Sequence, residues 1–222
     1  AQADLSTMTS RQPVCEVGDD GRPVPLFYEL FTSIGTLRQT LMPDQNLFSD
    51  RWLFQYLTGK LDQRMLAWLV KNDDATLRHS FSLNINIASV LSPRFLEFDA
   101  RLDKTRRNTI VIELQKTDVF ADIARFLFAR EFLLDRGYRI CLDGLTALSL
   151  PFVERQKLGF DLVKLHWTPQ LRQQIEGCAP GTTVRLVDDD LQTALAAAAP
   201  GRRRRWSSRR RAPWRRQRAT RS

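Results

Sequence analysis

The stretch TIVIELQKTDVFADIARFLFAREFLLDRGYRICL, residues 109–142, decides the fold. Its two ends, TIVIEL and YRICL, are short and mainly apolar runs, and such runs are typical of buried strands. Between them, Asp118 is predicted to cap a long helix that runs to Arg136, with Gly137 just past its end. A strand, a helix and a second strand in this order predict a parallel βαβ unit.

The same alternation continues on both sides of this unit. Further strands are predicted at 14–17, 26–31, 81–87, 162–165 and 183–187. Further helices are predicted at 49–57, 62–71, 93–102, 150–157 and 169–176. An Asp-Gly turn after the first strand favours a hairpin, whereas the strands separated by helices favour a parallel α/β fold. That fold is either a barrel or a doubly wound sheet, and the chain has no GxGxxG fingerprint of the dinucleotide-binding fold.

The length and the composition suit one folded domain with a tail. The chain has 222 residues, of which 43% are hydrophobic, and this is enough for a single α/β barrel. We predict a polar N-terminal lead at 1–11, a barrel domain at 12–190 and a disordered tail at 191–222. The tail is rich first in alanine and then in arginine, and it shows no apolar periodicity.

The positive charge of the chain is confined to this tail. The formal net charge is +9, but eleven of the 34 basic residues are arginines at 202–222, where there is no acid. Residues 1–201 therefore hold 23 basic and 25 acidic residues, a net charge of −2. We expect no nucleic-acid partner except through the arginine tail, whose other interpretations are contact with an acidic membrane or a shifted reading frame.

The cysteines and the hydropathy favour a cytoplasmic protein. Cys15, Cys141 and Cys178 are far apart and odd in number, so they match neither a disulfide framework nor a zinc spacing. No apolar run reaches the roughly 18 residues of a membrane span, and the polar lead carries no secretory pattern. The sequence therefore predicts cytoplasmic localisation and no transmembrane segment.

Five successive predicted strands each carry or precede a polar residue among apolar neighbours. These residues are Glu29, Asn84, Glu113, Asp143 and Lys164. An ionisable residue inside a barrel strand is costly, and barrel sites gather residues at the carboxyl ends of strands. Carboxylate and amide oxygens suit Mg²⁺, Mn²⁺ or Ca²⁺, and a lysine can offset phosphate charge. Each residue alone could be a solvated edge position, but as a group they predict a metal site.

Five blocks of the sequence, in order, resemble the EAL domain family of cyclic di-GMP phosphodiesterases. The blocks are QPV with the DDGR turn and YELF (12–31), FSLNINIASVLSPRF (81–95), IVIELQK (110–116), LDGLTAL (142–148) and FDLVKLHW (160–167). They are similar to the family's opening block with its EAL signature and to its VNLS…DPxF, LEITE, DDFGTG and VDxLKID blocks. The resemblance covers about residues 12–187. It implies a TIM-barrel-like EAL fold that is incomplete or altered at its C-terminal end.

The resemblance also implies a site and a reaction. The family hydrolyses cyclic di-GMP to pGpG with two Mg²⁺ or Mn²⁺ ions and a metal-activated water. By their place in the blocks, the ligands of the first metal are matched by Glu29, Asn84, Glu113 and Asp143. Lys164 matches the catalytic lysine near the attacking water. Mg²⁺ or Mn²⁺ is therefore the cofactor expected wherever the first-metal site is occupied.

Departures from the family pattern count against hydrolysis. Gly144 stands where the family has an aspartate of the second metal, and Lys116 stands where it has a second glutamate. Ser33 lies near the position of a phosphate-binding arginine, and His166 replaces an aspartate. The family's late AEGVE glutamate and its QGY block have no visible counterpart.

The blocks and their departures together predict a degenerate EAL domain in bacterial signalling. It would act as a cyclic di-GMP sensor or as a protein-interaction module, with little or no hydrolysis. An unclosed barrel leaves a sheet edge that a protein partner or a homo-oligomer would cover. The alternative is a weak metal-dependent phosphodiesterase that converts cyclic di-GMP to pGpG. A third hypothesis is a nucleic-acid-binding protein that acts through its tail.

Overall fold

The computed structural model describes residues 9–17, 23–32, 51–71, 79–166 and 168. Several predicted features lie outside these residues: the helix at 169–176, the strand at 183–187, the Asp-Gly turn, most of the lead, the whole tail, Ser33 and Cys178. The described residues contain a six-stranded sheet and the helices that pack against it.

The sheet has its six strands in the order in which they occur in the chain. The strands are β1 Thr9–Val17, β2 Pro23–Thr32, β3 Phe81–Asn84, β4 Ile110–Gln115, β5 Arg139–Leu145 and β6 Leu162–Leu165. β1 and β2 form an antiparallel pair, and β2 to β6 run parallel. A doubly wound sheet reverses its strand order at a switch point, whereas a barrel wall does not. The sheet curls into a half-barrel, which confirms the predicted α/β, TIM-barrel-like fold class.

Helices and one 3₁₀ turn connect the parallel strands. In the described part of the chain they are α1 Arg51–Lys71, α2 Ile87–Val90, α3 Pro93–Ala100, α4 Lys104–Arg107, α5 Lys116–Ala121, α6 Ile123–Arg136, the 3₁₀ turn Leu150–Phe152 and α7 Arg155–Leu158. The predicted helix at 150–157 is thus divided between the 3₁₀ turn and α7. Among these described helices, none combines the length and the apolar character that a membrane crossing needs.

α1 is one continuous helix, although the sequence predicted two helices at 49–57 and 62–71. Gly59 lies near its middle, and a glycine inside a helix costs only about 1 kcal/mol relative to alanine. Leu66 and Leu69 of the same helix are buried in the main core. Burial of side chains of this size stabilises by about 1.5–3 kcal/mol each, which outweighs the cost of the glycine.

β3 ends at Asn84, before the predicted strand end at Ile87. The backbone amide of Asn86 donates to the carboxylate of Asp62 at 2.9 Å, and the amide of Ile87 donates to the carboxylate of Asp118 at 2.6 Å. Because side chains from α1 and α5 bind these amides, the chain leaves the sheet and turns into the short helix α2.

The predicted helix from Asp118 to Arg136 is two helices in the structure, α5 and α6. Asp122 lies between them with φ −148° and ψ 87°, and its side chain accepts a hydrogen bond from the amide of Arg125 at 2.9 Å. Asp122 is therefore the N-cap of α6, a position that favours aspartate. Gly137 ends α6 in the left-handed conformation with φ +90°, as predicted.

Both faces of the sheet are buried. The face toward the helices holds the main core, which includes Leu83, Ile112 and Leu142. The opposite face, inside the half-barrel, holds a smaller cluster, the inner apolar cluster, formed by Val14, Phe27, Val111, Cys141 and Leu162. Because side chains alternate between the two faces of a strand, residues two positions beyond this cluster also face the half-barrel interior. In β2, β4 and β6 these residues are Glu29, Glu113 and Lys164.

Candidate functional site

Four of the five predicted site residues meet near the carboxyl ends of β2, β3, β4 and β6. The ammonium nitrogen (Nζ) of Lys164 lies 2.6 Å from Oε2 of Glu29 and 2.5 Å from Oε2 of Glu113. The side-chain amide of Asn84 donates to Oε1 of Glu29 at 2.7 Å. We call these four residues the Lys164 network.

The Lys164 network lies directly above the inner apolar cluster. In β4, Glu113 follows Val111 by one inward step, and in β6, Lys164 follows Leu162 in the same way. A small gap beneath the network is lined by Val14, Phe27, Glu113, Cys141, Leu162, Val163 and Lys164. Glu113 is 0% exposed and Lys164 is 8% exposed, so the charges are held away from water. These polar side chains therefore form one buried layer in the half-barrel.

Burial and paired charges together set the electrostatics of the network. Burial raises the pKa of Glu113 to about 7, although the positive charge of Lys164 opposes this rise, and the negative charge of Glu29 adds to it. Burial alone would lower the pKa of Lys164, but the negative charges of Glu113 and Glu29 outweigh burial and raise it. Burial and the charge of Glu113 raise the pKa of the Cys141 thiol below them. Lys164 therefore stays protonated in the folded protein, and Cys141 stays a neutral thiol.

Asp143, the fifth predicted residue, has other hydrogen-bond partners. One carboxylate oxygen accepts a hydrogen bond from the side-chain amide of Gln115, and the other accepts from the backbone amide of Gly144 at 2.7 Å. Asp143 also lies within β5, whereas the sequence predicted it just after the strand. It acts on the network through its negative charge, which contributes to the raised pKa of Lys164.

The donor types of the site fit a hard divalent cation, but their arrangement does not. Among the residues that the structure describes, Oδ1 of Asn84 and Oε1 of Glu113 are buried oxygens without a hydrogen-bond partner of good geometry, although a side-chain hydrogen bond from Ser82 acts to lower the pKa of Glu113. Such oxygens are available as ligands for a cation. Both carboxylates, however, are ion-paired with the Lys164 ammonium group. In the described part of the chain, no three Asp, Glu, His or Cys side chains are grouped so that they could hold a metal ion.

Gly144 has a backbone conformation that an aspartate would strain. Its φ is +81°, in the left-handed region that favours glycine. A Cβ atom at this position would lie 3.0 Å from Oε1 of Gln115, which is tighter than an ordinary contact. Glycine therefore suits this end of β5, where its backbone amide binds Asp143 and the Gln115 side chain lies close to it.

A second buried polar cluster, which sequence reasoning missed, lies where β3 gives way to α2. One oxygen of Asp62 accepts hydrogen bonds from the backbone and side-chain amides of Asn86 at 2.9 and 2.8 Å, and Asn86 also donates to the hydroxyl of Thr58 at 3.1 Å. Burial raises the pKa of Asp62 to about 6, against the opposing effect of these hydrogen bonds. A signal existed in Asp62, an acid that shares one helical face with the apolar residues Met65, Leu66 and Leu69 of α1.

Two other residues bear on the site. Gln115 was missed, although it lies one inward step beyond Glu113 and therefore faces the same interior as the network. His166, which replaces a family aspartate, is exposed, and its backbone amide donates to the carbonyl of Leu145 at 2.8 Å. This hydrogen bond extends the pairing of β5 and β6 and needs no particular side chain.

The fold is similar to that of solved EAL domains. The Vibrio cholerae LapD S helix–GGDEF–EAL structure bound to c-di-GMP matches with a TM-score of 0.51 and 11% identity, over 87% of this chain and 51% of that one. The Xanthomonas citri FimX EAL domain in complex with c-di-GMP matches with a TM-score of 0.50 and 10% identity, over 78% of this chain and 72% of that one. The chain spans about half the length of the LapD structure that it matches.

Sequence comparison adds nothing to this likeness. No protein-family model matches the chain, and no curated protein matches its sequence. A Klebsiella pneumoniae BlrP1 structure, a manganese and c-di-GMP complex, matches over 75% of this chain and 50% of that one, with 11% identity and a TM-score of only 0.44. Identities this low support the fold alone. The chain therefore has a fold similar to that of EAL domains.

Proposed function

We propose that this chain is a degenerate EAL-type domain that binds cyclic di-GMP and hydrolyses it little or not at all. The observation that carries the proposal is the position of Lys164, whose ammonium group is ion-paired with both glutamates of the predicted metal site. The EAL-like fold supports the choice of ligand, because FimX and LapD structures of that fold contain c-di-GMP. We place the chain in the cytoplasm, as its composition predicts.

The end of β5 gives independent support for weak hydrolysis. Gly144 replaces the aspartate that the EAL pattern uses for the second metal, and its positive φ disfavours an aspartate there. Asp143 accepts hydrogen bonds from Gln115 and Gly144 and does not touch the Lys164 network by any hydrogen bond described. A two-metal reaction needs enough carboxylates to hold both metal ions against the same phosphate, and Gly144 supplies none.

The alternative is a weak phosphodiesterase that uses Mg²⁺ or Mn²⁺ at Glu29, Asn84, Glu113 and Asp143, with Lys164 as the catalytic lysine. The unpartnered oxygens of Asn84 and Glu113 favour it, because a cation would satisfy both. A metal would supply an activated water for attack on phosphorus. The chain's own part would be to orient the carboxylates on adjacent strands and to exclude water from the apolar side.

One titration separates the two functions. Cyclic di-GMP is titrated calorimetrically into the full chain with EDTA and with Mg²⁺, and the same samples are analysed for pGpG. Binding in both conditions without pGpG supports the sensor. Mg²⁺-dependent pGpG supports the enzyme, provided that Glu29→Gln abolishes it. The matched control is Glu97→Gln, an exposed glutamate in α3 that pairs with Arg94. Failure to bind in either condition contradicts both functions.

The same degenerate domain would also act as an interaction module, which requires a protein partner or a second copy of the chain. Leu148 and Phe152 follow β5 and are 81% and 85% exposed, and large apolar side chains this exposed favour contacts with other proteins. Sedimentation of the chain over a range of concentrations tests self-association. We expect Leu148→Ser combined with Phe152→Ser to shift the chain toward the monomer, and an unchanged distribution would argue against this surface.

A further inference from the structure

We propose that Lys164 is the resident cation of the half-barrel, and that its ammonium group holds the place between Glu29 and Glu113 that a divalent ion would need. The Lys164 network would then be stable without a metal ion and would resist metal binding. This inference goes beyond the proposed function, because it concerns metal exclusion and holds whether or not cyclic di-GMP binds.

The geometry supports this role for the ammonium group. Nζ of Lys164 lies 2.6 Å from Oε2 of Glu29 and 2.5 Å from Oε2 of Glu113, so the ammonium group lies between the two carboxylates. Asn84 occupies the remaining oxygen of Glu29 with a hydrogen bond of 2.7 Å. A divalent ion placed between the two Oε2 atoms would therefore have to displace the lysine.

The lysine has little room to move aside. Lys164 lies in β6 and is 8% exposed, and its neighbours on the interior side include Cys141 and Leu162 of the inner apolar cluster. Moving an ammonium group from two carboxylates into such surroundings would leave a buried charge without a partner, which is strongly unfavourable. The ammonium group is thus held by the attraction of the carboxylates and by the apolar side chains beneath it.

The charges agree with this pairing. Glu29 and Glu113 with Lys164 carry a formal charge of −1, and Asp143 adds a further negative charge that acts on Lys164. Without Lys164 these carboxylates would lack the cation that now pairs with them, and buried sites tolerate unpaired charge poorly. Lys164 therefore supplies to the two glutamates the positive charge that a divalent ion would otherwise supply.

Removal of the lysine should expose a latent metal site. In Lys164→Met, an unbranched apolar side chain of similar length would fill the stem's position without its charge. The freed oxygens of Glu29 and Glu113 would join the unpartnered Oδ1 of Asn84 and Oε1 of Glu113. This set of hard oxygen donors suits Mn²⁺, which can be detected directly by its magnetic resonance signal.

The test is a titration of Mn²⁺ into the full chain, read by calorimetry and by the resonance signal of free Mn²⁺, with no nucleotide present. We expect no saturable binding of Mn²⁺ to the wild type. Lys164→Met should bind one Mn²⁺ per chain, with a Kd at least about tenfold below the lower limit set by the wild-type titration. The double variant with Glu29→Gln should lose the gain. Lys157→Met is the matched control, because Lys157 is an exposed lysine that pairs with Glu154 in the turn before it.

Stoichiometric binding of Mn²⁺ to the wild type that Glu29→Gln abolishes would overturn the proposal. So would a folded Lys164→Met variant that gains no affinity. If Lys164→Met does not fold, Lys164→Gln replaces it with the same expected gain, and the wild-type titration alone still decides between exclusion and binding. None of these results depends on cyclic di-GMP, so failure of this proposal is distinct from failure of the sensor proposal.

Discussion

The two faces of one sheet bury their side chains by different means. On the helix side, Leu83 and Ile112 pack among other apolar residues, and the core there is continuous. On the interior side, the inner apolar cluster ends after one layer, and the next layer holds Glu29, Glu113 and Lys164. The helix-side face is held by packing, whereas the interior face is held by charge pairing above a small apolar floor.

This difference separates stability from function in the half-barrel. Apolar packing tolerates substitutions that conserve volume, whereas a buried charge pair depends on every member being present. The interior layer therefore contributes less to the free energy of folding than the apolar face does, because burying its charges costs free energy that their pairing only partly offsets. A buried charged layer is weak evidence for stability, so its presence is consistent with the proposed ligand site.

The largest effect is expected on the helix-side face, at Phe95. This side chain is 0% exposed and its ring lies within 6.1 Å of the rings of Phe98, Phe132 and Tyr138, measured between centroids. Phe95→Ala should lower the free energy of unfolding by about 4 kcal/mol, through lost burial and a cavity. Urea unfolding followed by circular dichroism measures this loss.

The control for Phe95 lies next to it in the same helix. Leu96 is 44% exposed, so Leu96→Ala should change the free energy of unfolding by less than about 0.5 kcal/mol. Equal losses in the two variants would show that the aromatic cluster is not the centre of the helix-side core.

A smaller loss is expected in the interior layer, from Lys164→Met. The change leaves Glu29 and Glu113 close together without their cation, and loss of one partner of a buried pair typically costs about 3–5 kcal/mol. We expect a value near the lower end of this range, because the pKa of Glu113 near 7 lets this residue take up a proton at little cost. Urea unfolding at pH 7 measures the loss. Adding Glu113→Gln should restore part of it, and a further loss in the double variant would contradict the pairing.

The sequence predicted the fold class because apolar strand patterns alternate with helical ones along the chain. Glu113 and Lys164 were grouped because barrel strands carry their site residues at the carboxyl ends. The failures come from side chains that act across elements. Asp62 and Asp118 end β3 by binding backbone amides, and Asp122 divides a helix whose apolar spacing looked continuous.

The pairing of Lys164 with both glutamates could not be predicted from the sequence either. The pattern placed the three residues at neighbouring strand ends, but which oxygen contacts which donor depends on register and rotamer. Gln115 is a similar case, since only the structure shows that its side-chain amide binds Asp143. The sequence thus placed these residues at the ends of strands, and the structure shows which of them are paired.

A pH-dependent effect is expected at Asp62, on the helix side. Its pKa is about 6 in the folded protein and 3.8 when unperturbed, so the folded state binds the proton more tightly. The stabilisation is fully present below about pH 4 and is lost as the pH rises through 6, a change of roughly 2–3 kcal/mol. Unfolding of the wild type and of Asp62→Asn is measured from pH 4 to 8. As the pH rises, we expect the free energy of unfolding of the wild type to fall relative to that of Asp62→Asn.

The control for Asp62 is Asp135→Asn, which alters an exposed aspartate in α6. Its difference from the wild type should stay constant across the same pH range. Asp118 is the other acid that acts on Asp62, and its negative charge adds to the rise of the Asp62 pKa. A difference that is flat for Asp62→Asn as well would show that water reaches the Asn86 cluster.

The smallest effect, and the sharpest test of the interior face, is expected at Gly144. Gly144→Asp places a side chain at φ +81°, with its Cβ 3.0 Å from Gln115, and should cost about 1–2 kcal/mol. Gly59→Ala is the opposite case, because Gly59 lies inside α1 with nothing within 4 Å of the place that an added methyl group would take, and it should gain about 0.5–1 kcal/mol. Urea unfolding measures both. If Gly144→Asp is neutral and also yields Mg²⁺-dependent pGpG, the β5 end can accept a second metal ligand, and the weak phosphodiesterase becomes the better account of the interior layer.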